Sequence, residues 1–505
     1  MKISKNKINF LDQRSSGILL PINALPGKYG IGSLGSDAKL FIDFLQNSAQ
    51  KYWQICPFGH FGNENSPYSC YSAFAGAPYF IDLDALKQEG LLLEAELRKK
   101  TRQRKNFINY EQIKPFYLQK LELAYERFCS GKFPLLKKKL ENFLKKEISW
   151  IKDYALFMAL KDYFSNDNWY EWPKAIKFRT SKALRYYEQL LAHKIQFYSF
   201  IQFLFYKQWE ELVRYAHEHQ VFIIGDVPIY ISYKSAEVWA RPKEFLLKKD
   251  LRPAFVAGVP PDYFSKTGQL WGNPLYDWSY MEKNKFQWWL EVFKHLTSAF
   301  DVVRIDHFRG FAAYWRVSAQ AKTAAQGKWI FAPGEKLFKK IKQKLQGLPF
   351  IAEDLGLITP DVIALRKKLN LPGMTVLHFS LDTLDTCLPP SVIYTGTHDN
   401  NTTLGWFKQM NSIEQKKICS ILGCSPQKVV SYMIETAFAS SAFLAIVPMQ
   451  DILQLDSWAR TNTPGSIHNL FRFKLERSQL KKNLALDLRK TTQLYGRYLK
   501  EENRV

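Results

Sequence analysis

The chain reads as an α/β protein, a (β/α)₈ barrel with inserted, mainly helical subdomains. Three observations predict it. Eight short apolar runs each close on polar or charged residues, helical stretches separate them, and 505 residues with 46% hydrophobic and 23% charged side chains suffice for a large core. Continuous Val/Ile/Leu runs between helices are the pattern of parallel strands covered on both faces. In order, the runs are Gly17–Ile22, Tyr52–Pro57, Val221–Ile229, Asp301–Phe308, Pro349–Leu355, Thr375–Phe379, Val392–Asp399 and Phe443–Asp451.

Their spacing is uneven. The gap between the second and third runs far exceeds one crossover, so a separate unit is inserted there. Leu136, Leu140, Phe143, Leu144, Ile148, Ile151, Ala155 and Met158 recur at three and four between lysine clusters, which predicts helices. The expected division is 1–84 for the first strands and loops, 85–200 for a helical subdomain, and 201–505 for the rest of the barrel. Within the last part, Pro253–Trp278 is rich in Pro, Gly and aromatics and reads as an ordered active-site loop over 253–278.

Several function classes lose their usual signatures. Gly30-Ile31-Gly32-Ser33-Leu34-Gly35 matches G-x-G-x-x-G, but its first glycine lies well past the strand-like run, and the next run ends in Ile55-Cys56-Pro57 with no acid for a ribose. Neither a P-loop nor H-E-x-x-H occurs, and His217 and His219 fall on different sides of a helix, so no metal is expected. Cys56, Cys70, Cys129, Cys387, Cys419 and Cys424 form no CxxC pair and read as reduced thiols. The basic start has no apolar run of signal-peptide length, and the most apolar stretch, Thr436–Met449, is too short to span a bilayer. A cytoplasmic protein without membrane contact is expected. The net charge of +24 invites nucleic acid. Yet residues 101–200 hold 20 Lys and Arg against 10 acids, so much of the basicity lies in the helical insertion, as a solvated surface.

The strand ends carry the chemistry. In a barrel the C-terminal ends share one face, and four of these ends are acidic: Asp226, Asp306, Glu353 and Asp399. A retaining glycosidase needs such a cluster, with one carboxylate as nucleophile and a second as acid and then base. Arg304, two residues before Asp306 on the same strand face, is expected to hold that carboxylate ionised. Glu353 needs the opposite treatment, a raised pKa from neighbouring carboxylates and apolar walls.

The strings SPYSCYSAFAG, GDVPIY, GVPPDYFSKTGQLWGNPLYDW, VVRIDHFRGF, IAEDLG and YTGTHDNNT resemble the 4-α-glucanotransferases of glycoside hydrolase family 77, distant relatives of the α-amylases, from about Gly17 to Arg472. The resemblance implies that Asp306 is the nucleophile, Glu353 the general acid/base and Asp399 the transition-state stabiliser, with Arg304 and His398 lining the reacting sugar subsite. It implies transfer of α-1,4-glucan segments between maltooligosaccharides, with no cofactor. The flanking motifs suggest more contacts. Tyr68, in Ser66-Pro67-Tyr68, is placed to stack on the donor sugar, and Asp226 adds a further acid there. Tyr263, Phe264 and Trp271 would form a lid over the acceptor side, Asp262 and Asn273 would bind sugar hydroxyls, and Phe379 would add an acceptor wall. Departures from the family pattern are Lys234-Ser235-Ala236-Glu237-Val238-Trp239 for a usual DSADVW, Ala77 for Asn, Cys56-Pro57-Phe58-Gly59-His60 for LPLGP, and Leu470 for Trp. The alternatives are an α-glucan hydrolase and a basic nucleic-acid-binding protein without catalysis; oligomeric state stays open.

Overall fold

The computed structural model describes residues 13–62, 64–98, 105–261, 266–382, 391–466 and 470–498. Twelve strands occur among them: β1 (Ser15–Leu19), β2 (Tyr52–Gln54), β3 (Phe222–Pro228), β4 (Phe255–Val259), β5 (Gln269–Pro274), β6 (Val302–Asp306), β7 (Ala313–Ser318), β8 (Lys328–Phe331), β9 (Phe350–Ala352), β10 (Gly373–Val376), β11 (Ser391–Tyr394) and β12 (Leu444–Pro448). All eight runs of the sequence are strands, and they form one parallel sheet in the order β10-β11-β12-β1-β2-β3-β6-β9. Between β9 and β10 the seam is drawn together by Ala352 N–H donating to the Pro372 carbonyl at 2.9 Å and by Met374 N–H donating to Asp354 at 2.7 Å. The sheet thus curls nearly into a closed barrel, and helices cover it: the fold is a (β/α)₈ barrel.

The period of two along each strand decides what faces the barrel axis. Leu19, Tyr52, Ile224, Val302, Ile351, Met374, Val392 and Leu444 pack into one interior cluster. Continuing each strand by twos leads from these residues to Asp226 on β3, to Arg304 and Asp306 on β6, and to Glu353 just past β9. The plug is therefore apolar below and charged above. Gly17 makes room for this plug, because a Cβ there would lie 2.4 Å from the Tyr52 carbonyl oxygen and 2.7 Å from its Cβ.

The segment between β2 and β3 is helical, including Tyr110–Cys129, Pro134–Lys146, Ile148–Phe164 and Ser181–Leu190. Its last helix, Ala192–Glu218, runs uninterrupted through position 200, where the sequence reading divides the chain. This helix braces the loops above β2: the Gln202 side chain accepts from Gly76 N–H at 2.8 Å and donates to the Gly76 carbonyl at 2.9 Å.

A second sheet, antiparallel in the order β5-β4-β7-β8, stands beside β6. The range read as a loop over 253–278 contains β4 and β5 of this sheet. Strands β7 and β8 have no counterpart in the sequence reading, because four to six half-exposed residues such as KWIF carry too little alternation to stand out. The glycines of the rejected nucleotide motif serve packing: Gly35 caps the helix Ser36–Asn47, and a Cβ on it would sit 2.0 Å from the Asp82 carboxylate. His217 pairs with Asp301 at 2.9 Å beneath β6, a structural contact.

Candidate active site

The charged end of the plug is organised by Arg304. Its guanidinium is buried and donates to Asp226 Oδ2 at 2.6 Å, while its other arm reaches Asp306 Oδ1 at 3.1 Å. Two carboxylates on neighbouring strands thereby share one cation. Tyr68, from the loop after β2, donates its hydroxyl to the same Asp226 oxygen at 2.7 Å. Its ring lies flat against His398, with centroids 5.1 Å apart and planes at 13°. One face of the Tyr68 ring is therefore taken by His398. Ser66 serves the turn, its Oγ accepting from Tyr68 N–H at 3.3 Å.

Glu353 is held by backbone. The N–H of His307 donates to Oε2 at 2.6 Å and the N–H of Leu355 to Oε1 at 2.9 Å. His307 adopts a left-handed conformation, φ +50°, which turns its N–H toward the carboxylate; such strain in a non-glycine residue is common at functional sites. Burial pushes Glu353 up to about 8, with the neighbouring Asp306 charge adding to the rise and Arg304 and the two N–H donors opposing it. Asp306, 28% exposed to the cleft, is pushed up to about 6, first by burial and further by Asp226 and Asp399. Arg304, expected from the sequence as a neighbour of this carboxylate, pulls it down.

Asp399 belongs to a different structure. Its Oδ1 accepts from Asn462 Nδ2 at 2.6 Å, its Oδ2 lies 3.4 Å from His398 Nε2, and its own carbonyl accepts from Arg460 at 2.6 Å. Arg460 and Asn462 follow β12, and the sequence reading assigned neither a role. A polar pair inside Arg460-Thr461-Asn462 was the available signal. His307 was likewise quoted in its motif but given no task.

The remaining predicted residues divide. Trp271 on β5 is 38% exposed and meets the His307 ring edge-on at 4.8 Å. Asn273 donates to the Ile231 carbonyl at 2.9 Å. Phe379, 57% exposed, sits on the short helix Leu377–Ser380 after β10. Asp262, Tyr263 and Phe264 lie outside the described residues. Cys56, which the sequence places where the family pattern has leucine, is buried next to this cluster, and burial with Asp226 and Asp399 nearby pushes its thiol well up. No group of three His, Cys, Asp or Glu residues among those described could hold a metal.

A family profile described as 4-alpha-glucanotransferase matches residues 20–479. The chain belongs to glycoside hydrolase family 77. Curated members include the 4-alpha-glucanotransferase of Synechocystis sp., 43% identical over 498 residues, covering 96% of this chain and 99% of that one. The Thermus thermophilus enzyme of the same name is 42% identical over 468 residues, 90% of this chain and 93% of its own. Among solved structures, the amylomaltase of Streptococcus agalactiae, in complex with acarbose, superimposes with a TM-score of 0.93 at 36% identity, covering 96% of this chain and all of that one. As a family 77 member, the protein is a retaining 4-α-glucanotransferase: it moves α-1,4-glucan segments between maltooligosaccharides. Its carboxylate cluster stands at the C-terminal face of the barrel, where the active sites of such barrels are built.

Proposed function

We propose that Asp306 is the nucleophile, Glu353 the general acid and base, and Asp399 the stabiliser of the transition state. One observation supports this assignment above the others: on adjacent strands, Asp306 lies 3.1 Å from the Arg304 guanidinium while Glu353 is buried with only two backbone N–H donors, so the cation favours an ionised Asp306 and burial a protonated Glu353. In the first step a carboxylate oxygen of Asp306 attacks the anomeric carbon of the donor, the glycosidic C–O bond breaks, and Glu353 gives its proton to the departing oxygen. A covalent glycosyl ester results. In the second step the 4-hydroxyl of an incoming glucan loses its proton to Glu353 and attacks the anomeric carbon, releasing Asp306. Asp399, oriented by Asn462 and Arg460, faces the positive charge that develops on the sugar ring.

Arg304 and Asp226 form the floor beneath the nucleophile, and Tyr68 ties that floor to His398. Trp271 forms an acceptor-side wall in this reading, and Phe379 a second. Apolar walls favour a sugar over water at the ester, and this preference separates transfer from hydrolysis. Incubation with maltotriose tests the reading: glucose and longer oligosaccharides are expected with no net rise in reducing ends. A rise in reducing ends without longer products would overturn it in favour of a hydrolase.

A further inference from the structure

Tyr68 reaches the catalytic cluster from a loop, 66–76, whose far half is packed through Tyr71 and Phe74. A cavity of about 50 Å³ lies behind it, lined by Tyr68, Cys70, Ser72, Ala73, Asp226 and Tyr230 among others. A cavity removes van der Waals partners from one side, so polar tethers matter there. Gln202 holds the loop's end at Gly76, and a second set of tethers, nearer Tyr68, runs through Ser72. Its hydroxyl accepts from Phe74 N–H at 3.1 Å and Ala75 N–H at 3.3 Å, closing the turn, and donates to Glu237 Oε1 at 2.6 Å. Glu237 lies on the short helix Ala236–Ala240, whose first N–H donates to the Tyr71 carbonyl at 2.8 Å. The carboxyl is buried, and its second oxygen has no hydrogen-bond partner. A buried carboxyl with one bonded oxygen is costly as a structural filler. Burial pushes it up to about 7, against the pull of Ser72, the Ala73 N–H and the Arg241 charge. The catalytic steps above do not use it.

We propose that Glu237 is a positioning residue for the donor side of the site: through Ser72 it holds loop 66–76 so that Tyr68 stays on Asp226 and against His398. The inference rests on the reading of Tyr68 as part of the donor site. Only an acceptor oxygen of the right shape is needed toward Ser72, so an amide should serve in place of the acid.

The test is the steady-state kinetics of maltotriose disproportionation. Glu237→Ala and Ser72→Ala are each expected to raise KM about 10-fold while kcat stays within about 3-fold, because a displaced Tyr68 weakens binding before it touches the reacting carboxylates. The double variant should be no worse than the poorer single one, as expected for two residues acting through one contact. Glu237→Gln should stay within about 3-fold of the parent in KM. A merely structural role would lower the amount of active enzyme, and so the apparent kcat, and leave KM alone. Unchanged KM in both alanine variants, additive effects, or a Gln variant as impaired as the Ala one would each overturn the inference. Tyr68→Phe separates this from the underlying reading. If it leaves KM unchanged, the placement of Tyr68 fails; if it raises KM while the Glu237 and Ser72 variants do not, only the role of Glu237 fails.

Discussion

The two sides of the cleft are built on different principles. On one side Asp226, Arg304, Asp306 and Glu353 stand on or just past β3, β6 and β9, which are adjacent in the sheet, so strand register fixes their mutual placement. On the other side Asp399 follows β11, and its orientation comes from Asn462 and Arg460, residues of a loop beyond β12. The strand side carries the strongly shifted carboxyls, which need rigid surroundings and a compensating cation. In the proposed assignment the loop side carries the carboxylate that faces the sugar, and hydrogen bonds from a neighbouring segment orient it. Removing the cation of the strand side should therefore strike chemistry and stability together, and loosening the loop side chemistry alone.

The largest effect is expected from Asp306→Asn. With no nucleophile to form the ester, kcat should fall by roughly 10⁴-fold or more, and circular dichroism should show an intact fold because the change is nearly isosteric. Turnover above a hundredth of the parent value would remove Asp306 from its role. Next comes Arg304→Ala, which leaves two buried carboxyls without their shared cation. It should cost about 3–5 kcal/mol of stability and raise the acid limb of the kcat/KM profile above that of the parent, since the charge that pulls Asp306 down is gone. A stable variant with an unmoved acid limb would contradict the description of Arg304 as the organiser of this side.

The loop side should respond more mildly. Asn462→Ala removes one hydrogen bond from Asp399 and should lower kcat about 10-fold with little change in melting temperature. If this variant were as inactive as Asp306→Asn, the contrast between rigid and loop-held carboxylates would be wrong.

The same contrast governs what was legible in the sequence. Asp306, Glu353 and Asp226 stand out because period-two strands carry each apolar plug residue up to a polar one, as in Val302, Arg304 and Asp306; a run of residues close in sequence contains the whole relation. The bond from Asn462 to Asp399 joins residues on different loops, and no local pattern announces it. Strands β7 and β8 escaped for a related reason: their partners lie in β4 and across a hairpin, and their short half-exposed sequences take shape from that pairing. The status of Tyr68 also needed coordinates, since its motif located the ring but not the His398 ring stacked on it.

The smallest effect concerns stability rather than rate, and it tests the electrostatics of the strand side alone. Glu353 titrates near 8 in the folded protein and near the ordinary 4.5 when unfolded. A carboxyl whose pKa is raised on folding binds its proton more tightly in the native state, so it imposes no penalty below about pH 4.5, a penalty that grows as pH rises from there to about 8, and a constant one above. Gln at this position has the same shape and cannot ionise. Its amide NH2 would face one of the two backbone N–H donors, a loss that does not vary with pH, so Glu353→Gln should melt below the parent near pH 4 and gain on it by roughly 2 °C or more by pH 8, while losing nearly all turnover. Differential scanning calorimetry across that range reads the difference directly. A gain that is flat with pH would mean that burial does not set this carboxyl's proton affinity, and the division of roles between Glu353 and Asp306 would need another cause.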